Sequence, residues 1–238
     1  MIWGFFIYLG MKELTIEEKK KLCNYLQTFL TDERKERLQT VLAHRTRHFT
    51  VVLENLFQTQ NISAVMRTCE CYGVQDIHII EKENEFTIHS AISMGSNKWL
   101  TLHNYPNEPH NAQKCIQTLK ANGYTVVATM PSENSYFVQD LPIDQKTAFV
   151  FGTELTGISP ELLSLCDRTV KIPMYGFTES FNISNSVAIL LSNVVERLKK
   201  MNFNWALTPQ EKEELYLEWV CKSIRDVDLI IENYLNKK

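Results

Sequence analysis

The chain has 238 residues, of which 44 % are apolar and 22 % charged, with 8 Gly and 7 Pro. This composition gives a soluble folded chain with enough material for one sizeable core, and it excludes a disordered or fibrous protein. A net charge of −3 excludes a protein that coats nucleic acid through bulk positive potential, so any such contact is local.

In chain order, residues 1–10 are apolar and include Trp3, Phe5, Phe6 and Tyr8. They lack a basic flank and stop far short of a membrane span, so they are read as an accessory extension or a start-site artefact. Residues 11–48 are expected to be helical. Thr15 with Glu18 has the spacing of a capping box, and Thr31 ahead of Asp32 and Glu33 marks a second helix start. The same segment carries the clearest basic cluster, Arg34, Lys35, Arg37, Arg45, Arg47 and His48. Alone, such a run is a solvated helix face; it gains meaning only if the core acts on RNA. His44 and His48 are spaced i, i+4, but without a third ligand no metal is expected.

From residue 49 the pattern changes. Residues 49–53, 77–80, 124–128 and 148–151 are short runs rich in β-branched and aromatic side chains, separated by helix-like stretches at 63–72, 112–121 and 160–165. That alternation predicts an α/β domain over residues 49–200 with a mostly parallel sheet. Val187, Leu190, Leu191, Val194, Val195 and Leu198 form one apolar helical stripe, with more apolar surface than a solvent-facing helix needs. Residues 201–238 read as a helical extension whose start, Thr208-Pro209-Gln210-Glu211, combines an N-cap, proline at the first helical position and a capping box. The six cysteines form no C-x-x-C pair, which fits reduced thiols in a cytoplasmic protein.

No glycine-rich dinucleotide or P-loop signature occurs. Three polar islands stand out instead. The first runs from Asn61 to Arg67. These two residues lie about 120° apart on an ideal helix, so Asn61 is expected to cap the helix and Arg67 to project from it. The second, residues 151–160, places Gly152 directly after a strand, where the backbone can turn sharply or approach a ligand, and Glu154 beyond that strand's carboxyl end. The third, residues 172–185, gathers more polar side chains ahead of a helix than capping requires.

Taken in order, the islands resemble the three motifs of the SpoU branch of the SPOUT methyltransferases: Asn-x5-Arg at Asn61 and Arg67, Gly-x-Glu-x-x-Gly-Ile-Ser over 152–159, and Ile-Pro-Met followed by Ser-φ-Asn-φ-Ser over 172–184. Asn185 departs from the pattern by replacing an apolar residue. The resemblance implies a deep C-terminal trefoil knot, a homodimer and S-adenosylmethionine as cofactor. It implies cofactor contacts from Thr129, Met130, Gly152, Ile172, Met174 and Phe181, and catalytic roles for Arg67, Asn61, Glu154, Ser180 and Asn182. The flanking extensions resemble those of the group that methylates guanosine 18 in the tRNA D-loop, which implies a tRNA substrate met through the basic cluster. The alternatives are a ribosomal RNA 2′-O-methyltransferase and a noncatalytic RNA-binding knot protein.

Overall fold

The computed structural model describes residues 14–55, 59–83, 95–153 and 155–236. The expected extension at residues 1–10 therefore lies outside the described residues, as does Glu154. The chain divides into two compact units, Thr46–Ala206 on the one hand and Met1–Arg45 with Leu207–Lys238 on the other.

The larger unit is built on a parallel sheet. Its strands among the described residues are β1 (Phe49–Glu54), β2 (Asp76–Ile80), β3 (Thr101–Tyr105), β4 (Thr125–Thr129), β5 (Tyr136–Phe137), β6 (Thr147–Phe151) and β7 (Arg168–Lys171). Their order is β3-β2-β1-β6-β4-β7-β5, and every neighbouring pair is parallel. Strands β1, β2 and β6 are buried at every position, as expected when helices cover both faces of a sheet. The expected runs at 49–53, 77–80, 124–128 and 148–151 all appear as strands. The sequence did not announce β3, β5 or β7. β3 and β5 are edge strands, only partly covered, and β7 buries only Val170 fully, so none needs a continuous apolar run.

Strand parity divides the core. Phe49, Val51 and Leu53 of β1, with Phe149 and Phe151 of β6, face α3 (Thr59–Cys71) and α6 (Ile183–Lys199). Val52, Ala148 and Val150 point the other way, toward α4 (Asn111–Ala121) and α5 (Pro160–Ser164). The α6 stripe predicted from sequence is real, and all six of its residues are buried within this chain against α3 and the sheet. It therefore gives no support to a subunit interface: the apolar surface is consumed by the protomer's own core.

The smaller unit packs α1 (Ile16–Gln27) and α2 (Asp32–Ala43) against α7 (Pro209–Ser223), which is followed by α8 (Val227–Leu235). Both expected capping boxes form, at Thr15 with Glu18 and at Thr208 with Glu211. The sequence reading treats the two flanks as separate extensions. The structure joins them, because each flank alone offers only a narrow leucine face, and Leu22, Leu26, Leu38 and Leu42 need Leu215, Trp219 and Val220 to leave water. The C-terminal extension holds two helices, since the chain breaks at Asp226 in a left-handed conformation with φ 52°.

An ionisable cluster gathers around the buried Asp76 and His78 of β2. Arg47 Nε lies 2.8 Å from Asp76 Oδ2, and His103 Nε2 lies 2.9 Å from Asp76 Oδ1. The His103 ring stacks on His78 at 4.4 Å. Burial, with His103 adding to it against the opposing pull of Asp76, pushes the His78 pKa down to about 4. An unfolded histidine titrates near 6.5, so between that pH and about 4 only the unfolded chain takes up the proton. Stability from this site is thus complete above roughly pH 6.5 and falls as the pH drops. His78→Gln is expected to flatten the difference in denaturant midpoint between pH 7 and pH 5; an unchanged pH dependence would show that His78 is not its source.

Candidate active site

Parallel strands end on one side, and the carboxyl ends of β4 and β6 open onto a cavity of about 370 Å³. Thr129, Met130, Phe151, Gly152, Ile158 and Phe181 are among its walls. A smaller space of about 120 Å³ shares Thr129, Met130 and Phe181 and adds Ile172 and Met174. All six residues expected to hold a cofactor therefore line one or both of these spaces. The sequence reading did not include Ser186, nor Pro131, Ile158, Leu163 and Ile183, which carry no polar signature and are placed there by tertiary packing.

Local bonds hold these walls. Thr129 Oγ1 donates to the Val150 carbonyl at 2.6 Å, and the Met130 N–H donates to the Val170 carbonyl at 2.9 Å, tying the end of β4 to both neighbouring strands. Beyond it, Ser135 Oγ donates to the Met130 carbonyl at 3.0 Å, and Lys171 Nζ donates to the Ser132 carbonyl at 3.0 Å.

The loop after β6 closes on itself. Thr153 and Gly157 exchange two backbone hydrogen bonds, each of 3.0 Å. Gly157 turns the chain with φ +68°. A Cβ built on Gly152 would lie 2.1 Å from the Gly157 carbonyl oxygen and 2.3 Å from the Ile158 nitrogen. Backbone occupies that space, so position 152 admits only glycine. Ser159 then caps α5, with Pro160 in its first turn as expected.

The first and third polar islands meet directly. Asn182 is the N-cap of α6: its Oδ1 accepts from the Ser184 N–H at 2.9 Å and from Ser184 Oγ at 2.6 Å. With the oxygen engaged there, its Nδ2 donates to Asn61 Oδ1 at 3.1 Å. Asn61 is not the cap of α3, contrary to the sequence expectation; the helix begins at Thr59 and Asn61 lies in its first turn. Its amide is aimed at the third island instead. Arg67 projects from the same helix and is exposed, and Ser180 is exposed on the cavity wall. Asn185 lies exposed in the first turn of α6, so its amide remains hydrated and costs the core nothing.

The basic cluster does not stay together as one surface. Arg34, Lys35 and Arg37 lie on α2, with Lys35 Nζ 2.9 Å from Asp32 Oδ1. Arg45 is only 1 % exposed, its guanidinium 5.2 Å from the centre of the Trp219 ring. Arg47 is engaged by Asp76. His48 is buried, with Nε2 2.8 Å from the Ile143 carbonyl, and burial lowers its pKa. On α2, Arg37 is exposed and Arg34 and Lys35 are half-buried, whereas Arg45 and His48 are buried and serve packing. Proximity along the chain hid this difference, because burial depends on partners such as Trp219 far along the sequence. Arg45→Ala is expected to cost about 2 kcal/mol or more in denaturant unfolding, the scale of a desolvated cation–π contact together with the packing of its stem; a loss below ~0.5 kcal/mol would mean the site tolerates solvent.

Residues 48–192 match the model of the SpoU rRNA Methylase family. The chain belongs to this family. Among its relatives is the tRNA (guanosine(18)-2'-O)-methyltransferase of Borreliella burgdorferi, 43 % identical over 216 residues, which cover 91 % of this chain and 97 % of that one. The enzyme of the same name from Thermus thermophilus is 32 % identical over 81 % of this chain and 98 % of its own length. The crystal structure of the A. aeolicus TrmH/SpoU tRNA modifying enzyme superposes with a TM-score of 0.71 at 29 % identity, covering 82 % of this chain and 98 % of that one. Membership makes the chain an RNA methyltransferase that uses S-adenosylmethionine. The cavity suits that cofactor. Among the described residues none of the side chains lining the larger space is charged, and a mostly apolar wall fits an adenine ring and a thioether.

Proposed function

We propose that this protein methylates the ribose 2′-hydroxyl of guanosine 18 in the D-loop of tRNA, acting as a cytoplasmic homodimer. The observation that carries the reading is the hydrogen bond between Asn182 and Asn61, which joins the helix bearing Arg67 to the segment that walls the cofactor cavity. The choice of tRNA is supported by the reach of the likeness. The family match ends at residue 192, whereas the similarity to the Borreliella burgdorferi enzyme extends over 216 residues and so takes in flanking sequence. The C-terminal knot belongs to the same proposal, supported by Ile172, Met174, Ser180 and Phe181, which line the same spaces as the ends of β4 and β6.

Bound in the cavity, S-adenosylmethionine would supply an electrophilic methyl group. The protein must then orient the hydroxyl and stabilise the oxygen as it loses its proton. A guanidinium has donors and no acceptor, so the role of Arg67 is to hold the adjacent phosphate in a planar fork and stabilise the developing alkoxide. Asn61 and Glu154 orient that arginine and the ribose, and Ser180 and Asn182 complete the pocket. Arg34, Lys35 and Arg37 provide local phosphate contacts, with the salt dependence that counterion release imposes.

Two solution measurements test this reading. Calorimetry on the purified protein should show S-adenosylmethionine binding that nicotinamide dinucleotides do not displace. Sedimentation should give a mass near twice 27.7 kDa. A folded protein without cofactor binding would overturn the assignment, and a fully active monomer would remove the dimer from it.

A further inference from the structure

We infer that Glu54 is a positioning residue for the cofactor cavity, a clamp that fastens the outgoing end of the 152–159 loop to the end of β1. The inference rests on the methyltransferase reading of that cavity. Glu54 ends a strand buried at every position and is itself 2 % exposed, so its carboxylate needs strong partners to be tolerated there. It has three. The Ser159 N–H donates to Oε2 at 2.8 Å, Ser159 Oγ donates to Oε1 at 2.5 Å, and Lys82 Nζ lies 2.7 Å from Oε1. Lys82 Nζ also donates to Ser159 Oγ at 2.9 Å, closing the group. The lysine is itself placed by the adjoining backbone, since the Glu83 N–H donates to Asn55 Oδ1 at 3.0 Å and Asn55 follows Glu54 with φ 50°.

The residue being clamped is flanked by cavity wall on both sides. Ile158 precedes Ser159, Leu163 follows it in α5, and both line the larger space. The incoming end of the loop is already fixed, because Gly152 continues directly from β6 and the Thr153–Gly157 pairing stiffens the middle. Only the outgoing end needs an anchor from outside the loop, and Glu54 provides it from the neighbouring strand.

Glu54→Gln preserves volume but offers one acceptor oxygen where three donors converge, so its amide N–H₂ must face the Ser159 or Lys82 donors. Ser159→Ala removes one partner from the other side. The test is calorimetric titration of the full-length variants with S-adenosylmethionine, well below their unfolding midpoints, together with methyl transfer at saturating cofactor. Each single variant is expected to bind about tenfold more weakly, the scale of a hydrogen bond to a charged group. The double variant should lose no more than either single, as for two halves of one contact. Turnover at saturation should stay near the parent value, because the clamp shapes the cavity and touches no reacting atom. Parent-like affinity in both single variants, or independent, multiplying losses in the double, would overturn the clamp. If the parent protein itself fails to bind, the cofactor reading falls, and this inference falls with it for that separate reason.

Discussion

Replacing Gly152 with Ala is expected to weaken S-adenosylmethionine binding by more than about a hundredfold while leaving most of the fold intact. The reason is geometric. The added methyl carbon would sit 2.1 Å from one backbone atom of the loop and 2.3 Å from another, distances no rotamer change can relieve. The loop must open, which breaks the paired Thr153 and Gly157 bonds and moves Gly152 and Ile158 out of the cavity wall. The sheet beneath is secured by pairings on both sides of β6, so circular dichroism should remain close to the parent. Gly157→Ala supplies the contrast. Its position is strained for an L-residue at φ +68° but has open space around a Cβ, so the cost is limited to backbone strain of about 1–3 kcal/mol. Equal affinity losses in the two variants would mean that the close approach at Gly152 is not what shapes the site.

The second large effect concerns Arg67. Lysine retains the charge but loses the planar fork that can hold a phosphate and an alkoxide together. Arg67→Lys should therefore reduce turnover by roughly a hundredfold or more, the scale of losing one oriented transition-state donor, with cofactor affinity barely changed. The contrasting variant is Arg34→Ala with Arg37→Ala on α2. It should weaken tRNA binding and flatten its salt dependence, with turnover largely restored at saturating tRNA. Arg45 is unsuitable for that comparison because it is buried against Trp219, and its loss would mix folding with binding. Turnover of Arg67→Lys at the parent maximal rate would remove this arginine from the chemistry.

The sheet's central strands were legible because burial on both faces demands continuous apolar runs, and helix starts were legible because Thr15, Thr31 and Thr208 satisfy backbone N–H groups locally. Short, partly covered strands such as β3 and β5 leave no such mark. The candidate cofactor walls were found through motif order, and the structure gathers them around one opening. What one sequence could not disclose were pairings between distant positions: Asn61 with Asn182, Glu54 with Ser159, and Arg45 with Trp219. Each depends on how the elements pack. That is why Asn61 read as a cap and Arg45 as part of a surface cluster, and why Glu54 drew no reading at all. The stripe on α6 was read correctly as a buried face, but periodicity shows only that a face is covered; the structure adds that α3 and the sheet cover it.

The most direct test of the account is mass-spectrometric mapping of 2′-O-methylated nucleosides after incubating the protein and S-adenosylmethionine with unmodified tRNA and ribosomal RNA together. The account predicts methylation of guanosine 18 in tRNA, abolished when the cofactor is omitted and strongly reduced in Arg67→Lys. Methylation confined to ribosomal RNA, or RNA binding with no methyl transfer to either substrate, would contradict it.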